Sequence, residues 1–312
     1  MKRFIKNSVF FVLIIIPLYC VLVIIWKTTM PNFLLQNVNK REPDFLSTKL
    51  KESRTRNSVD ILFLGSSHAY RSFDGRIFEK YGYSSMNLGS SAQTHKQTHL
   101  IIEEFAEGLN PDLVVYEVYP KMFSINGAES NIQLSEQFYL FHKERGQLFE
   151  NMVESKRIRI WNNFIYNSYE YFILDEENQA LKRGNDHYVQ GGFIEKKLAF
   201  YKEKPFETKK LKPLQTQLNY FQSNLSFFKN RNIPVVLVQA SYTKDYYNSI
   251  ENIDYYNDYF NSLDIPYYNF NEILNLKDSR DFYESHHLNQ NGVEKFDRAL
   301  IERFRTDGIL KP

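Results

Sequence analysis

The sequence predicts an α/β fold with a central parallel sheet, and three observations carry the prediction. Short apolar runs at Val59–Leu64, Ser85–Leu88 and Leu113–Val118 read as buried strands, each too short for a core helix. Each ends in turn formers, Gly65-Ser66-Ser67, Gly89-Ser90-Ser91 and Pro120. Segments of helical spacing lie between them, so crossovers join the strands and the strands run parallel.

From the start of the chain, Ser8–Trp26 (SVFFVLIIIPLYCVLVIIW) carries no charge and is long enough to span a bilayer. Lys2, Arg3 and Lys6 precede this run and only Lys27 follows closely. The positive-inside rule then puts residues 1–7 in the cytoplasm, 8–26 across the cell membrane as a single pass, and the C-terminal domain outside. A cleaved signal peptide would need small residues before its cut site, and none stand well placed after Trp26. A lipoprotein anchor at Cys20 would follow small residues, but Tyr19 is bulky, and a soluble core helix is rarely apolar all round.

Residues 27–57 mix Pro, Asn, Lys, Arg and Ser and read as a tether with one short helix, which puts the folded domain at 58–312. After the strand Val59–Leu64 come a helix near Gly75–Tyr81, the strand Ser85–Leu88 and a helix over Gln93–Gly108. Ile101, Ile102 and Phe105 share one face of that helix and Gly108 stops it. The strand Leu113–Val118 follows. Residues 121–212 lose the rhythm and read as a helical insertion that caps or lines a site, with helices near Ser135–Glu154 and Ile158–Leu174 and loops at Gly184 and Gly191-Gly192. The alternation resumes with a helix at Leu214–Arg231, a strand at Ile233–Val238 whose Pro234 sits near its start, a helix at Tyr247–Leu263, a strand at Ile265–Phe270 and a closing helix at Gly292–Phe304.

Composition narrows the function classes. A formal net charge of +2 over 312 residues gives no basic field of the kind that binds nucleic acid. The 22 Tyr and 26 Phe support a packed core rather than disorder. Cys20, the single cysteine, lies inside the apolar run, so the exported part has no thiol nucleophile, disulfide or CxxC metal site.

Two segments carry chemistry. In Gly65-Ser66-Ser67-His68 a tight turn after a buried strand lifts a serine hydroxyl to the carboxyl edge of a sheet, where open α/β folds bind ligands. Far downstream, Glu284-Ser285-His286-His287-Leu288-Asn289 offers a carboxylate three residues before a histidine. A serine hydroxyl becomes a nucleophile when a base takes its proton and a third group holds the base in the right tautomer. Ser67, His287 and Glu284 supply these types. Small residues around Ser67 and Gly89 would let backbone N–H groups face a developing oxyanion.

These blocks, in this order, resemble the SGNH/GDSL hydrolase superfamily, in the membrane-anchored DltD-like and AlgJ-like branch. The resemblance covers roughly residues 59–120 and 214–304, and implies a flavodoxin-like three-layer sandwich, the SGNH hydrolase fold. Gly65-Ser66-Ser67 matches the first block, with Ser66 where many members have Asp, which puts Ser67 at the nucleophile position. Asn87-Leu88-Gly89 matches the second, whose glycine lends its N–H to the oxyanion hole beside the Ser67 amide. His287-Leu288-Asn289 with Gly292 matches the last and puts His287 at the base position. Glu284 stands where members usually have Asp, with Asp281 as the substitute candidate. The third block departs: no asparagine follows Tyr116-Glu117-Val118-Tyr119-Pro120, and loss of such a donor typically costs about 100- to 1000-fold in rate. Tyr119 or a residue of the insertion is the candidate replacement.

Other features have plainer readings. Ser66 and Ser67 are also good helix N-caps. His68 and His286 are neighbours of the site, His68 as a supporting pocket wall and His286 exposed by alternation. His95 and His99 stand one helical turn apart as in zinc-binding helices, but Lys96 occupies the metalloprotease base position, and a solvated or cleft-facing surface fits them better. Lysines between Lys196 and Lys212 alternate with Glu195, Glu203 and Glu207 and read as a solvated face, while Trp161, Tyr166, Tyr169 and Tyr171 read as insertion core or as sugar-stacking rings. Location and resemblance together imply an outward-facing serine esterase or O-acyltransferase. Its expected substrate is an acyl ester, chiefly acetyl, of an envelope glycan or related polymer, with an acylated glycan or small acyl donor and a membrane protein as partners. No cofactor or metal is expected. The alternative is a non-catalytic assembly or binding protein of the same fold.

Overall fold

A computed structural model describes residues 1–30, 45–127, 130–131, 134, 154–173 and 181–311. They fall in two compact units, Met1–Glu42 with Asn131–Gln179, and Pro43–Ser130 with Ala180–Pro312.

In the first unit α1 (Lys2–Thr29) is a 28-residue helix, about 42 Å long. Most of its apolar side chains are exposed, among them Phe10, Phe11, Leu13 and Ile16, while Val23 is buried. The other described helix of this unit spans Glu154–Ile173. It meets α1 through Tyr19, whose hydroxyl donates to Asn162 Oδ1 at 2.5 Å, and through Lys27, whose Nζ lies 4.3 Å from the centre of the Tyr166 ring.

The second unit is built on a five-stranded parallel sheet. Its strands are β1 (Ile61–Leu64), β2 (Ser85–Asn87), β3 (Leu113–Glu117), β7 (Val235–Gln239) and β8 (Tyr267–Asn269). Their order is β2-β1-β3-β7-β8, all pairs parallel, the flavodoxin-like arrangement. Between β3 and β7 the chain forms a separate antiparallel sheet of β4 (Lys182–Arg183), β5 (Asp186–Val189) and β6 (Phe193–Lys196).

Side chains alternate across the strands and build two faces. Ile61, Phe63, Val115, Val236 and Val238 join Phe73, Phe78, Phe296, Leu300 and Phe304 in one core. Tyr116 on the opposite face packs on Phe221, with ring centres 5.6 Å apart. The helix Gln215–Lys229 supplies Phe221 on that face, and the helix Gln290–Thr306 supplies Phe296, Leu300 and Phe304 on the first.

The structure departs from the sequence expectations in four places. The folded unit begins before residue 58, because a helix at Leu46–Arg54 buries Leu46 and Leu50 together with Phe45. The insertion is not wholly helical: β5 and β6 bury Tyr188, Val189, Phe193 and Ile194 in the main unit, two short apolar pairs obscured in the sequence by the charged residues around them. The helix expected at Tyr247–Leu263 is two helices, Lys244–Asn248 and Ile253–Asn261. A helix at Ser67–Ser72 starts directly after the first turn, capped by Ser66. Apart from Glu154, the helix expected at Ser135–Glu154 lies outside the described residues.

Candidate active site

The turn after β1 is shaped by Gly65 and Glu117. Gly65 has φ of +140°, and a Cβ there would stand 2.8 Å from Glu117 Cβ and 3.1 Å from Glu117 Oε2, so only glycine fits. Ser66 is the helix N-cap, its Oγ accepting the His68 amide, and Ser67 follows as the first helical residue. The Ser67 hydroxyl is thereby presented half-buried at the carboxyl end of the sheet.

The histidine arrives on a hairpin. A strand at Phe282–Glu284 pairs antiparallel with His287–Leu288, with Glu284 directly opposite His287 across the two-residue turn Ser285-His286. Cross-strand partners are near neighbours, so a carboxylate three residues before the histidine meets the imidazole. Thr243 anchors the turn, its amide and hydroxyl both donating to the Ser285 carbonyl at 3.0 and 2.8 Å. Asn289 locks the far side by donating to the Ala199, Arg280 and Phe282 carbonyls. Gly292 is required because a Cβ there would collide with the Asp281 carbonyl.

These two supports bring Ser67 and His287 together across 220 positions of sequence, with Ser67 Oγ 2.8 Å from His287 Nε2. His287 Nδ1 is hydrogen-bonded to Glu284 Oε1, so Nδ1 carries the proton toward the carboxylate and Nε2 accepts from the serine hydroxyl. Burial lowers the His287 pKa well below 6.5, and His286, Arg71 and Lys196 lower it further. The imidazole is neutral at neutral pH, the form a general base needs.

The other expected site residues are placed as follows. Asp281 does not reach His287. It is buried and takes the Lys277 amide at 2.8 Å and Lys295 Nζ at 2.6 Å, which makes it an anchor for the loop. The Gly89 amide donates to Asn87 Oδ1 at 3.0 Å, so an oxyanion would have to share or displace that acceptor. The Tyr119 hydroxyl is bonded to the Tyr246 hydroxyl, which also takes Lys209 Nζ at 3.1 Å. Tyr119 therefore acts through its ring, 4.1 Å centre to centre from His68. We expect Tyr119→Phe to change kcat less than about threefold; a loss near 100-fold would mean that the hydroxyl turns to the oxyanion during turnover.

His68 is buried, with its Nδ1 3.2 Å from Ser66 Oγ, and its ring lies 4.7 Å from that of His287. His286 is half-buried rather than exposed, with Nδ1 3.0 Å from Ser285 Oγ and its ring stacked on Tyr246. Burial lowers its pKa to about 4. His95 and His99 have structural partners: Nδ1 of His95 meets the Tyr116 hydroxyl at 2.7 Å, and Nδ1 of His99 meets Asn224 Oδ1 at 2.9 Å.

Sequence reasoning missed Glu117. It is buried beneath the Gly65–Ser67 turn, its Oε2 within 3.4 Å of Ser66 Oγ, and burial raises its pKa to about 8. A carboxyl closing the apolar run Leu113–Glu117 was the available signal, since an ionisable group there must be desolvated. The Arg71–Asp186 ion pair at 2.7 Å, buried beside the histidine loop, had no such signal because its partners are far apart in sequence.

No family model matches the chain, and no curated protein matches it. Among solved structures it is similar to a proposed acylhydrolase from Bacteroides fragilis, at 12% identity over 86% of this chain and 99% of that one with a TM-score of 0.39. It is likewise similar to a GDSL-like lipase from Bacteroides thetaiotaomicron, at 12% identity over 85% and 100% of the two chains with a TM-score of 0.40. A third is a proposed platelet activating factor from Streptococcus pneumonia, at 9% identity over 83% and 92% with a TM-score of 0.40.

Proposed function

We propose that the chain is a membrane-anchored, extracytoplasmic serine esterase or O-acyltransferase of the SGNH type, acting on acyl esters of an envelope glycan or related polymer. The observation that carries the chemistry is the 2.8 Å contact from Ser67 Oγ to His287 Nε2, with Glu284 on the other ring nitrogen. Ser67 Oγ attacks the acyl carbonyl while His287 Nε2 takes its proton, and His287 returns that proton to the departing alkoxide as the ester C–O bond breaks. Water or a sugar hydroxyl then attacks the acyl-serine, giving its proton to His287, and Ser67 leaves with that proton. The Ser67 amide faces the oxyanion, joined by Gly89 if Asn87 yields its hold. The ordered blocks of the SGNH resemblance support the same roles. The glycan follows from location and the DltD-like and AlgJ-like resemblance. A non-catalytic envelope-polymer binding protein is the second reading, favoured by the engaged Gly89 amide and Tyr119 hydroxyl.

The chemistry is tested by hydrolysis of p-nitrophenyl acetate across pH. The lowered His287 pKa keeps the base unprotonated, so kcat/KM should hold as pH falls from 7 through 6.5 and drop only as pH passes through the lowered pKa. The unfolded histidine, with its pKa of about 6.5, takes its proton first, so the stability held by neutral His287 is present above that value and lost as pH falls below it. A fall in activity already centred near pH 6.5 would contradict the buried, neutral base.

The apolar surface of α1, largely uncovered by protein, supports the membrane reading. A phosphatase reporter fused after residue 312 should be active only outside the cytoplasm, and the protein should stay with membranes through alkaline carbonate. Release of a shortened soluble form would support signal cleavage instead.

A further inference from the structure

Three imidazoles meet at the mouth of the site, and the proposed hydrolysis uses only one of them. His68, His286 and His287 each place a ring nitrogen within 4.8 Å of one from each of the others. Their ring centres are 4.7, 5.4 and 4.4 Å apart for the pairs His68–His287, His68–His286 and His286–His287. A zinc ion 2.0–2.1 Å from three imidazole nitrogens at tetrahedral angles puts those nitrogens about 3.3 Å apart and the ring centres about 5 Å apart. The ring centres are already near that spacing, and the ring nitrogens, within 4.8 Å of one another, would have to close to about 3.3 Å.

The hydrogen bonds behind the rings match a metal site as well. Nδ1 of His287 is held by Glu284, Nδ1 of His68 lies 3.2 Å from Ser66 Oγ, and Nδ1 of His286 lies 3.0 Å from Ser285 Oγ. Metal-binding histidines almost always donate the second ring N–H to a carboxylate, backbone carbonyl or water, and the Glu284–His287 pair is of that kind. Nε2 is then the candidate ligand atom of each ring, and on His287 an ion would displace the Ser67 hydroxyl proton that Nε2 now accepts. Nε2 of His68 is buried and makes no hydrogen bond of good geometry, although the His286 backbone lies near enough to the ring to raise its pKa against the lowering by burial. Lys121 and Lys209 lie near enough to His286 to oppose a cation, and Glu284 opposes them.

From this geometry we propose that His68, His286 and His287 form an inhibitory site for a zinc-like divalent ion, which binds the three Nε2 atoms with Ser67 Oγ or water as fourth ligand. The proposal rests on the serine esterase reading for its consequence, since the ion takes the nitrogen that would receive the Ser67 proton. Its binding does not rest on that reading.

The test uses full-length protein in detergent, with zinc chloride followed by calorimetry and cobalt(II) followed by its tetrahedral absorption bands. One ion per chain is expected, with tetrahedral bands, and zinc should block both ester hydrolysis and fluorophosphonate labelling. His286→Ala and His286→Gln leave Ser67, His287 and Glu284 in place and should retain ester turnover to within a few fold, the neighbouring His287 keeping its bonds to Ser67 and Glu284. Losing an outer-shell partner already costs about 10- to 100-fold in metal affinity, so loss of this ligand should cost at least about 100-fold. Zinc affinity unchanged in both His286 variants, or octahedral cobalt spectra, would overturn the proposal. If the wild type binds zinc through these residues but hydrolyses no ester, the site stands and the esterase reading fails.

Discussion

Ser67→Ala and His287→Ala should each lower ester turnover by roughly 10⁴- to 10⁶-fold while leaving the fold intact, and the double variant should be little worse than either single one. The expectation follows from the shared proton: Ser67 Oγ and His287 Nε2 are 2.8 Å apart, and neither has a replacement at that distance among the described residues. Ser67 is half-buried at the first position of a short helix, so removing its hydroxyl opens no cavity. The assay is kcat/KM on p-nitrophenyl acetate with the thermal midpoint as the folding control. Full activity in Ser67→Ala would move the assignment to the binding-protein reading.

The two nearby carboxylates should separate in the next largest effect. Glu284→Ala should cost about 10³- to 10⁴-fold in kcat, because the imidazole loses the partner that fixes its tautomer. Its side chain is 45% exposed, so little stability should be lost with it. Asp281→Ala should behave the opposite way. Its carboxylate is buried against Lys295 and the Lys277 amide, and its removal should cost about 2–3 kcal/mol of stability while kcat stays within a few fold. Urea unfolding and steady-state kinetics on the same preparations decide it; a larger kcat loss in Asp281→Ala than in Glu284→Ala would reverse the two roles.

The parallel sheet was legible because β1, β3 and β7 are buried on both faces and therefore read as unbroken apolar runs. Ser67, Glu284 and His287 were legible as types and in their local spacing; their meeting in space depends on the hairpin and on Asn289, whose three carbonyl partners include the distant Ala199. The small antiparallel sheet was hidden because the buried Asp186 and the partly exposed Glu195 interrupt its apolar residues, and Asp186 is tolerated there by pairing with Arg71 from a different element. One residue sets the surroundings of both Tyr119 and His286. Each was read by its place along the chain, but Tyr246, contributed by a separate helix, engages the hydroxyl of the first and the ring of the second.

The most direct measurement is reaction of the full-length protein with a fluorophosphonate, followed by intact mass and peptide mapping. A nucleophile activated by His287 should take up one adduct per chain, on Ser67, with labelling lost in both Ser67→Ala and His287→Ala. An unlabelled wild type, or an adduct on another serine that persists in Ser67→Ala, would contradict the assignment of Ser67 as the nucleophile.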